Sequence, residues 1–476
     1  MLIQYYIKIL VCQYLSKVGW IMIFNFKPKV PAMNQEEIIK EFIAEFDKSD
    51  KRKNMLIGQA YYENRNDINN RDKFCYVNKQ KVVDETKVNN KLSHAFMKLM
   101  VDEKVGYLLG KPPRYTSLND KFQQKIDEIL DENFDDILNE SGVEASNKGI
   151  SWLQVYIDDD EKLSFKLIPS EQVVPLWKDT AHSKLQAVIR YYYVTVYEGK
   201  NKKDVLKVEY WDDKTVMYYT DYNGKLIPDV EANETTEPIG HYLKDGEYYG
   251  WGKIPFIVIK NNSEELNDLT FVKYLIDDYD LNTSDTSNNL AEIQSLIYVL
   301  KNYGGQDIGE FIQDLRYYKA IKVEGDGGVD SLNSNLNIDA VEKHLDRLKK
   351  DIYQFGQCVN MDTDKFGANP SGVALKFLYT GLDLKCNNFE RKLKSAFKSI
   401  FWFISEYLKL KKEGDFDCTS ARVNFNRSII ANETETIQNC QKSKGIVSDK
   451  TIIEHHPWVN NVTEEEQRLS NNMSKN

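Results

Sequence analysis

The feature that most constrains this chain is a helix, a short loop and a much longer helix between Ile338 and Lys412. Ile338, Val341, Leu345, Leu348, Ile352 and Phe355 follow one another at three- and four-residue steps. They make one apolar seam on a stretch otherwise covered by Asp, Glu, Lys and Arg, which is the pattern of an amphipathic helix. The run Asn360, Met361, Asp362, Thr363, Asp364, Lys365, Phe366, Gly367, Ala368, Asn369 then breaks the period with turn formers. Asn369 before Pro370 reads as a helix cap followed by proline in the first turn. Beyond it Phe389, Leu393, Phe397, Ile400, Phe401, Ile404 and Leu408 keep a helical stripe as far as Gly414. From Gly372 to Lys411 that helix would be about 60 Å long at 1.5 Å per residue. Gly381 inside it marks an expected bend, and Gly372 an expected hinge at its start. Such a reach, folded back through an exposed loop, suits part of an assembly better than a compact enzyme core.

The 476 residues suffice for two or three domains with real cores. The composition, 41% hydrophobic and 29% charged, is that of a globular chain. A net charge of −10 and a pI near 5.4 exclude a protein that grips nucleic acid with its whole surface, but not one that surrounds DNA loosely. Six scattered cysteines without a CxxC pair predict reduced thiols and neither a disulfide framework nor a zinc site. The apolar first 26 residues are interrupted by Lys8, Gln13, Lys17 and Gly19, so no run reaches the ~20 residues of a spanning helix. Residues 1–33 read as an extra segment upstream of a natural start near Met33, with a membrane-touching arm as the alternative.

In chain order, Ile38, Ile39, Phe42, Ile43 and Phe46 form one helical face, followed by a polar stretch from Asn64 to Lys73. A helix is expected around Leu92, Phe96, Leu99, Met100, Val105 and Leu108, and another carries Phe122, Ile126, Ile129, Leu130, Phe134 and Ile137. From Ser151 the period becomes two. Strands at 152–157, 163–168, 187–197, 206–211, 215–219 and 254–259 read as one antiparallel meander. Helical spacing returns at Leu269, Val272, Ile276 and Tyr279, and Ser284 to Asn289 is a polar stretch. Strands at 295–300 and 317–323, with turns at Gly304-Gly305 and Gly325–Gly328, form a small module before Ile338. Two or three short helices follow Arg427, broken at Gly445 and at His456-Pro457.

No arrangement of catalytic groups survives inspection. Gly106 and Gly110-Lys111 have three residues between the glycines where a P-loop needs four, and Pro112 replaces its Ser/Thr. A helix end with a proline stop is the simpler reading. Asp158, Asp159, Asp160 and Glu161 offer hard-cation ligands but also make an ordinary solvated hairpin turn. Asp326 and Asp330 among glycines read as loop, His455-His456 as surface or cap, and Tyr191-Tyr192-Tyr193 as sheet packing. No cofactor, metal or catalytic residue is expected.

Several strings, in this order, resemble the portal protein family of long-tailed phages of Gram-positive bacteria. They are Asn89-Asn90-Lys91-Leu92, Asp102-Glu103-Lys104-Val105-Gly106-Tyr107-Leu108-Leu109-Gly110-Lys111-Pro112, Leu275-Ile276-Asp277-Asp278-Tyr279-Asp280 and Asp351-Ile352-Tyr353-Gln354-Phe355. Ser371-Gly372-Val373-Ala374-Leu375, Lys444-Gly445-Ile446-Val447-Ser448 and His456-Pro457-Trp458 complete the set. The resemblance implies an α+β portal fold. Residues 34–262 would be a mixed α/β wing, 263–290 a stem helix, 291–337 a small α/β clip and 338–358 the returning stem helix. Residues 359–372 would be a tunnel loop facing DNA, 373–411 a long wing helix, 412–431 a wing return strand and 432–476 a helical crown. It implies a ring, dodecameric in the assembled head, that forms the channel at one capsid vertex for packaging and ejecting double-stranded DNA. Terminase, a head–tail adaptor, scaffold and major capsid proteins would be its partners, the virion its place, and the host cytoplasm its site of assembly. In a ring the seam from Ile338 to Phe355 would be buried against neighbouring subunits. The alternatives are a membrane-attached or capsid-associated scaffold and, further off, a metal-dependent nuclease.

Overall fold

The computed structural model describes residues 34–85, 87–293, 297–301, 328–332, 338–360, 372–427, 433–459 and 462–473. Eleven described helices matter here: α1 Gln35–Lys48, α2 Asp50–Tyr62, α3 Phe96–Leu109, α4 Asp120–Ile129, α5 Glu132–Lys148, α6 Lys273–Ile293, α7 Ile338–Gly356, α8 Gly372–Leu410, α9 Glu433–Lys442, α10 Asp449–Glu454 and α11 Val462–Met473. The strands are β1 Phe74–Val77, β2 Gln80–Val83, β3 Arg114–Thr116, β4 Ile150–Ile157, β5 Leu163–Ile168, β6 Val173–Trp177, β7 Leu185–Glu198, β8 Asn201–Trp211, β9 Thr215–Tyr222, β10 Lys225–Pro228, β11 Ile239–Gly240, β12 Tyr242–Lys244, β13 Glu247–Tyr249, β14 Phe256–Lys260, β15 Ile297–Lys301, β16 Gly328–Leu332 and β17 Arg422–Asn424.

The chain divides into two compact units. One holds the residues up to Gln59, Leu99–Thr270 and Gln357 onward; the other holds Ala60–Lys98 and Phe271–Gly356. Residues 60–98, read from the sequence with the wing, thus cluster with the helices α6 and α7.

In the first unit the expected single meander is two sheets. Strands β6 to β10 form the meander, in the order β10-β9-β8-β7-β6 with β11 on β9, whereas β14 returns to pair with β4 in a separate β14-β4-β5 sheet. Period-two spacing fixes which residues face inward but not which strand is the neighbour. Helix α1 covers the larger sheet with Ile39, Ile43 and Phe46, and its start is a complete capping box between Asn34 and Glu37. Helix α8 is the spine of the rest of this unit. Phe389, Leu393, Phe397, Ile400, Phe401, Ile404 and Leu408 are all buried, and the helix runs through Gly381 as one 39-residue element. The run from Phe122 to Ile137 is two helices, because Asp131 caps the second by accepting from the Asn133 and Phe134 N–H groups.

Close backbone contacts lock α2, α5 and the segment after β14. A Cβ on Gly58 would lie 1.9 Å from the Asn147 carbonyl oxygen, and Gly149 ends α5 at φ +83° against the Glu265 backbone. Glu265 itself is ringed by Lys51, by Lys260 at 3.0 Å and by His182 Nδ1 at 2.9 Å. Burial alone would raise its pKa, but the Lys51 charge and the hydrogen bonds from Lys51, His182 and Lys260 outweigh burial and hold it down at about 2. A carboxyl depressed on folding stabilises the protein above its unfolded value and loses that contribution as the pH falls toward the folded one. Glu265→Gln is therefore expected to lower stability near neutrality by about 3 kcal/mol. In urea titrations the gap from the parent protein should shrink between about pH 4.5 and pH 2. A gap of constant size across that window would contradict the assignment.

Candidate channel-forming site

In the second unit α6 and α7 pack against one another, and the α7 seam is unevenly covered. Leu348 and Ile352 are buried, and Val341 and Leu345 are half-buried. Ile338 and Phe355, at its two ends, are 44% and 57% exposed. His344 Nε2 meets Asp278 of α6 at 3.0 Å. Helix α6 starts at Lys273, later than its apolar spacing suggests, because Asp268–Phe271 is a separate 3-10 turn.

The stretch read only as polar proves to be the organising face of α6. Asp280, Ser284 and Asn288, spaced by four, are each about 1% exposed and point at one extended segment. The His94 N–H donates to Asp280 Oδ1 (3.1 Å), the Leu92 N–H to Ser284 Oγ (2.9 Å) and the Asn90 N–H to Asn288 Oδ1 (2.6 Å). Alternate residues of an extended chain advance about 6.6 Å and four helical residues about 6 Å, so the two periods match. The helix thus stands in for a sheet edge and accepts from the backbone donors of the extended segment. Asn66 Nδ2 donates to Asp280 Oδ2 at 2.6 Å, and Arg71 forks onto Asp285 at 2.9 and 3.1 Å. Tyr279 packs edge-on against His94 and Phe96. Polar residues at i, i+4 and i+8 on a helix, with an unassigned extended run elsewhere, were the available signal.

In the first unit, Asn360 is the last described residue before the expected tunnel loop. Met361, Asp362, Thr363, Asp364, Lys365, Phe366, Gly367, Ala368 and Asn369 lie outside the described residues, as do residues 1–33 and the expected strand at 317–323. The flanks of the loop are both held by α3. Before it, the Val359 N–H donates to both Glu103 carboxylate oxygens at 3.1 and 3.2 Å. Burial pushes the Glu103 carboxyl above its ordinary value, against the opposing pull of that N–H and of Lys385. After it, Tyr107 stacks on Tyr379 and donates to Asp383 at 2.7 Å. Gly372 begins α8, and a Cβ on Gly381 would make ordinary contact with Gln357 at 3.8 Å.

Between these anchors lies a buried charge cluster. Lys104 and Lys385 reach Asp268 Oδ2 at 3.1 and 3.0 Å, and Lys104 also donates to Ser146 at 3.0 Å and to Asn261. Burial alone would raise the Asp268 carboxyl, but the two ammonium groups and the Asn261 amide hold it far below the usual carboxylate range. Glu103, Lys104 and Tyr107 belong to the mostly helical string at 102–112, for which the sequence showed a resemblance but no role. Gly110 ends that helix, its N–H donating to the Gly106 carbonyl at 3.1 Å.

The other candidate sites are structural. The Asp158 carboxylate accepts from the Asp160 and Lys162 N–H groups and from Ser164 Oγ, so it closes the β4–β5 turn. Asp330 lies in β16, paired with Val299, and Asp326 lies outside the described residues. His455 caps α10, and His456 Nδ1 accepts from the Trp458 N–H. Tyr191 is buried and donates to Asp47, and Tyr192 is half-buried, but Tyr193 is 68% exposed, so the tyrosine run packs only in part. Among the described residues no three His, Cys, Asp or Glu side chains converge to hold a metal, and no helix is long and apolar enough to cross a membrane.

Residues 43–474 match the family described as phage portal protein, SPP1 Gp6-like. The portal protein of Bacillus phage SPP1 is 37% identical over 425 residues, covering 88% of this chain and 84% of the relative. The portal protein of Clostridium phage phiCD119 is 31% identical over 440 residues, covering 88% and 92%. The chain belongs to the SPP1 Gp6-like family of phage portal proteins. Its mixed α+β fold is that family's, and its role is that of a structural component of a phage. Among solved structures, the neck of an empty gene transfer agent particle aligns over 74% of this chain and 86% of the other, at 9% identity and a TM-score of 0.42. The neck of the native particle aligns over 75% and 86%, at 11% identity and a TM-score of 0.38. Both scores are too low to bear on the argument.

The ladder on α6 gives a direct test. Ser284→Ala removes the acceptor of the Leu92 N–H, a loss of about 0.5–1.5 kcal/mol for one hydrogen bond. Hydrogen exchange of residues 88–95 should accelerate severalfold, with the β6–β10 sheet unchanged. Unchanged protection at Leu92 would show that Ser284 does not hold this segment.

Proposed function

We propose that twelve copies of this chain form a ring, and that the ring is the channel at one capsid vertex through which double-stranded DNA enters and leaves. Helices α6 and α7 serve as the stem, residues 291–337 as the clip and 359–372 as the tunnel loop. The long helix α8 crosses the wing, and α9 to α11 make the crown. The observation that carries this reading, beyond family membership, is the α7 seam. Ile338 and Phe355 stay exposed at the ends of an apolar stripe on a charged helix, as a surface completed by a neighbouring copy would require.

The chemistry of a conduit is electrostatic. Duplex DNA carries one negative charge per about 1.7 Å of its axis, so a basic channel would hold it as a brake. A chain of net charge −10 favours short-lived, sequence-blind contact. The ring performs no bond-breaking of its own; a separate terminase supplies the force from the clip, and a head–tail adaptor later takes the same tip. Scaffold and major capsid proteins surround the ring as it assembles in the host cytoplasm, and it remains in the virion. Against a nuclease, Asp158 is engaged in the β4–β5 turn, Asp131 in a helix cap and Asp268 in an ion pair with Lys104 and Lys385.

Removal of Met361–Asn369 tests the reading. The two flanks are fixed independently by Glu103 and Tyr107, so rings should still form on electron micrographs and by mass photometry. Packaged DNA per head should fall at least tenfold, or DNA should leak from filled heads. Normally filled, stable heads would contradict a role for the loop in the channel.

A further inference from the structure

We infer that the tip of the β7–β8 ribbon is an arm that docks on the neighbouring copy of this chain, in the cavity between α4, α5 and the β4–β5 turn. This rests on the ring reading above and names the contact that closes the ring.

Strand β6 pairs with β7 only as far as Arg190, and β9 pairs with β8 only from Lys207. Six further pairs, from Tyr193 opposite Leu206 to Glu198 opposite Asn201, have no third strand beside them among the described residues. This two-stranded ribbon runs about 20 Å beyond the sheet at 3.3 Å per residue. Isolated hairpins are marginal in water, and this one leaves Tyr193 68% and Tyr197 72% exposed. Lys200, Lys202 and Lys203 crowd its tip, all exposed. Asp204 lies beside them on Thr195, so the tip is net basic, and an aromatic anchor at a net-basic tip calls for a partly apolar hole with an acidic rim.

The same unit carries a cavity of about 530 Å³ with a mixed lining, in which Ile129, Phe134, Ile137, Leu163 and Leu408 sit among polar groups. Its rim bears Glu128, Asp131, Asp158, Asp160 and Glu413 against two lysines, Lys125 and Lys162. A second cavity, of about 770 Å³, is rimmed by Lys394, Lys398 and Arg422 and would repel the arm. Arm and acidic cavity belong to one unit, and the arm's aromatics remain exposed there, so the two meet only between copies. A contact between two different patches of identical chains is heterologous, the type that closes a cyclic ring.

The test uses the full chain with Tyr197 replaced by the photo-crosslinker p-benzoylphenylalanine. On irradiation, adducts between copies should map to peptides spanning residues 125–137 or 156–165. In parallel, Lys202→Glu with Lys203→Glu should raise the concentration needed for ring assembly at least tenfold. Adding Glu128→Lys and Asp160→Lys to the same chain should restore it. Rings whose adducts lie elsewhere, or whose assembly ignores the charge reversal, overturn the docking and leave the portal reading intact. Adducts to added DNA in place of protein also overturn it. A parent chain that forms no rings overturns both.

Discussion

Asp268 is the point on which the first unit turns. Two ammonium groups, from α3 and α8, close on one buried carboxylate, with Ser146 of α5 and Asn261 after β14 completing the set. Taking such ions out of water costs as much as their attraction returns, so the cluster adds little net stability. Its effect is on arrangement, because any packing that separates the three charges leaves one of them buried alone. Four elements distant in sequence are thereby held in a single relation. The same helix α3 then supplies Glu103 to Val359 and Tyr107 to Asp383, so both flanks of the proposed tunnel loop are referred to that one buried charge.

The second unit uses the complementary device. There a polar helix face accepts from the backbone of an extended segment at alternate residues. Both devices explain strings that carried the resemblance. Asn90 and Leu92 donate their N–H groups to α6, Asp280 receives His94, and Glu103, Lys104 and Tyr107 each make a specific tertiary bond. Each of these residues holds the fold in place, and Gly106 with Gly110-Lys111 forms a helix end in place of a P-loop.

How much was legible follows from the physics of each element. The apolar stripes of α7 and α8 were readable to within a residue or two, since a buried face leaves its period in the sequence. Helices α4 and α5 merged into one because Leu130 keeps the apolar spacing across the break, and Asp131 reveals itself as a cap only through its hydrogen bonds. Sheet membership was hidden because alternation says nothing of which strand lies beside which. The split of 60–98 from its sequence neighbours was hidden too, since it depends on polar bonds to a helix about 200 residues away. Of the expected site, the apolar period of the α7 stripe was legible, and residues 361–369 lie outside the described residues. What fixes the loop's flanks was not legible, because Glu103 and Tyr107 look like ordinary helix surface until Val359 and Asp383 are seen beside them.

The most direct measurement is a cryo-electron microscopy reconstruction of the assembled full-length chain without imposed symmetry. The account predicts a closed ring in which α6 and α7 of every copy line the axial channel, with Ile338 and Phe355 covered by a neighbour. A ring lined by other elements, or an assembly in which these two side chains remain in water, would contradict it.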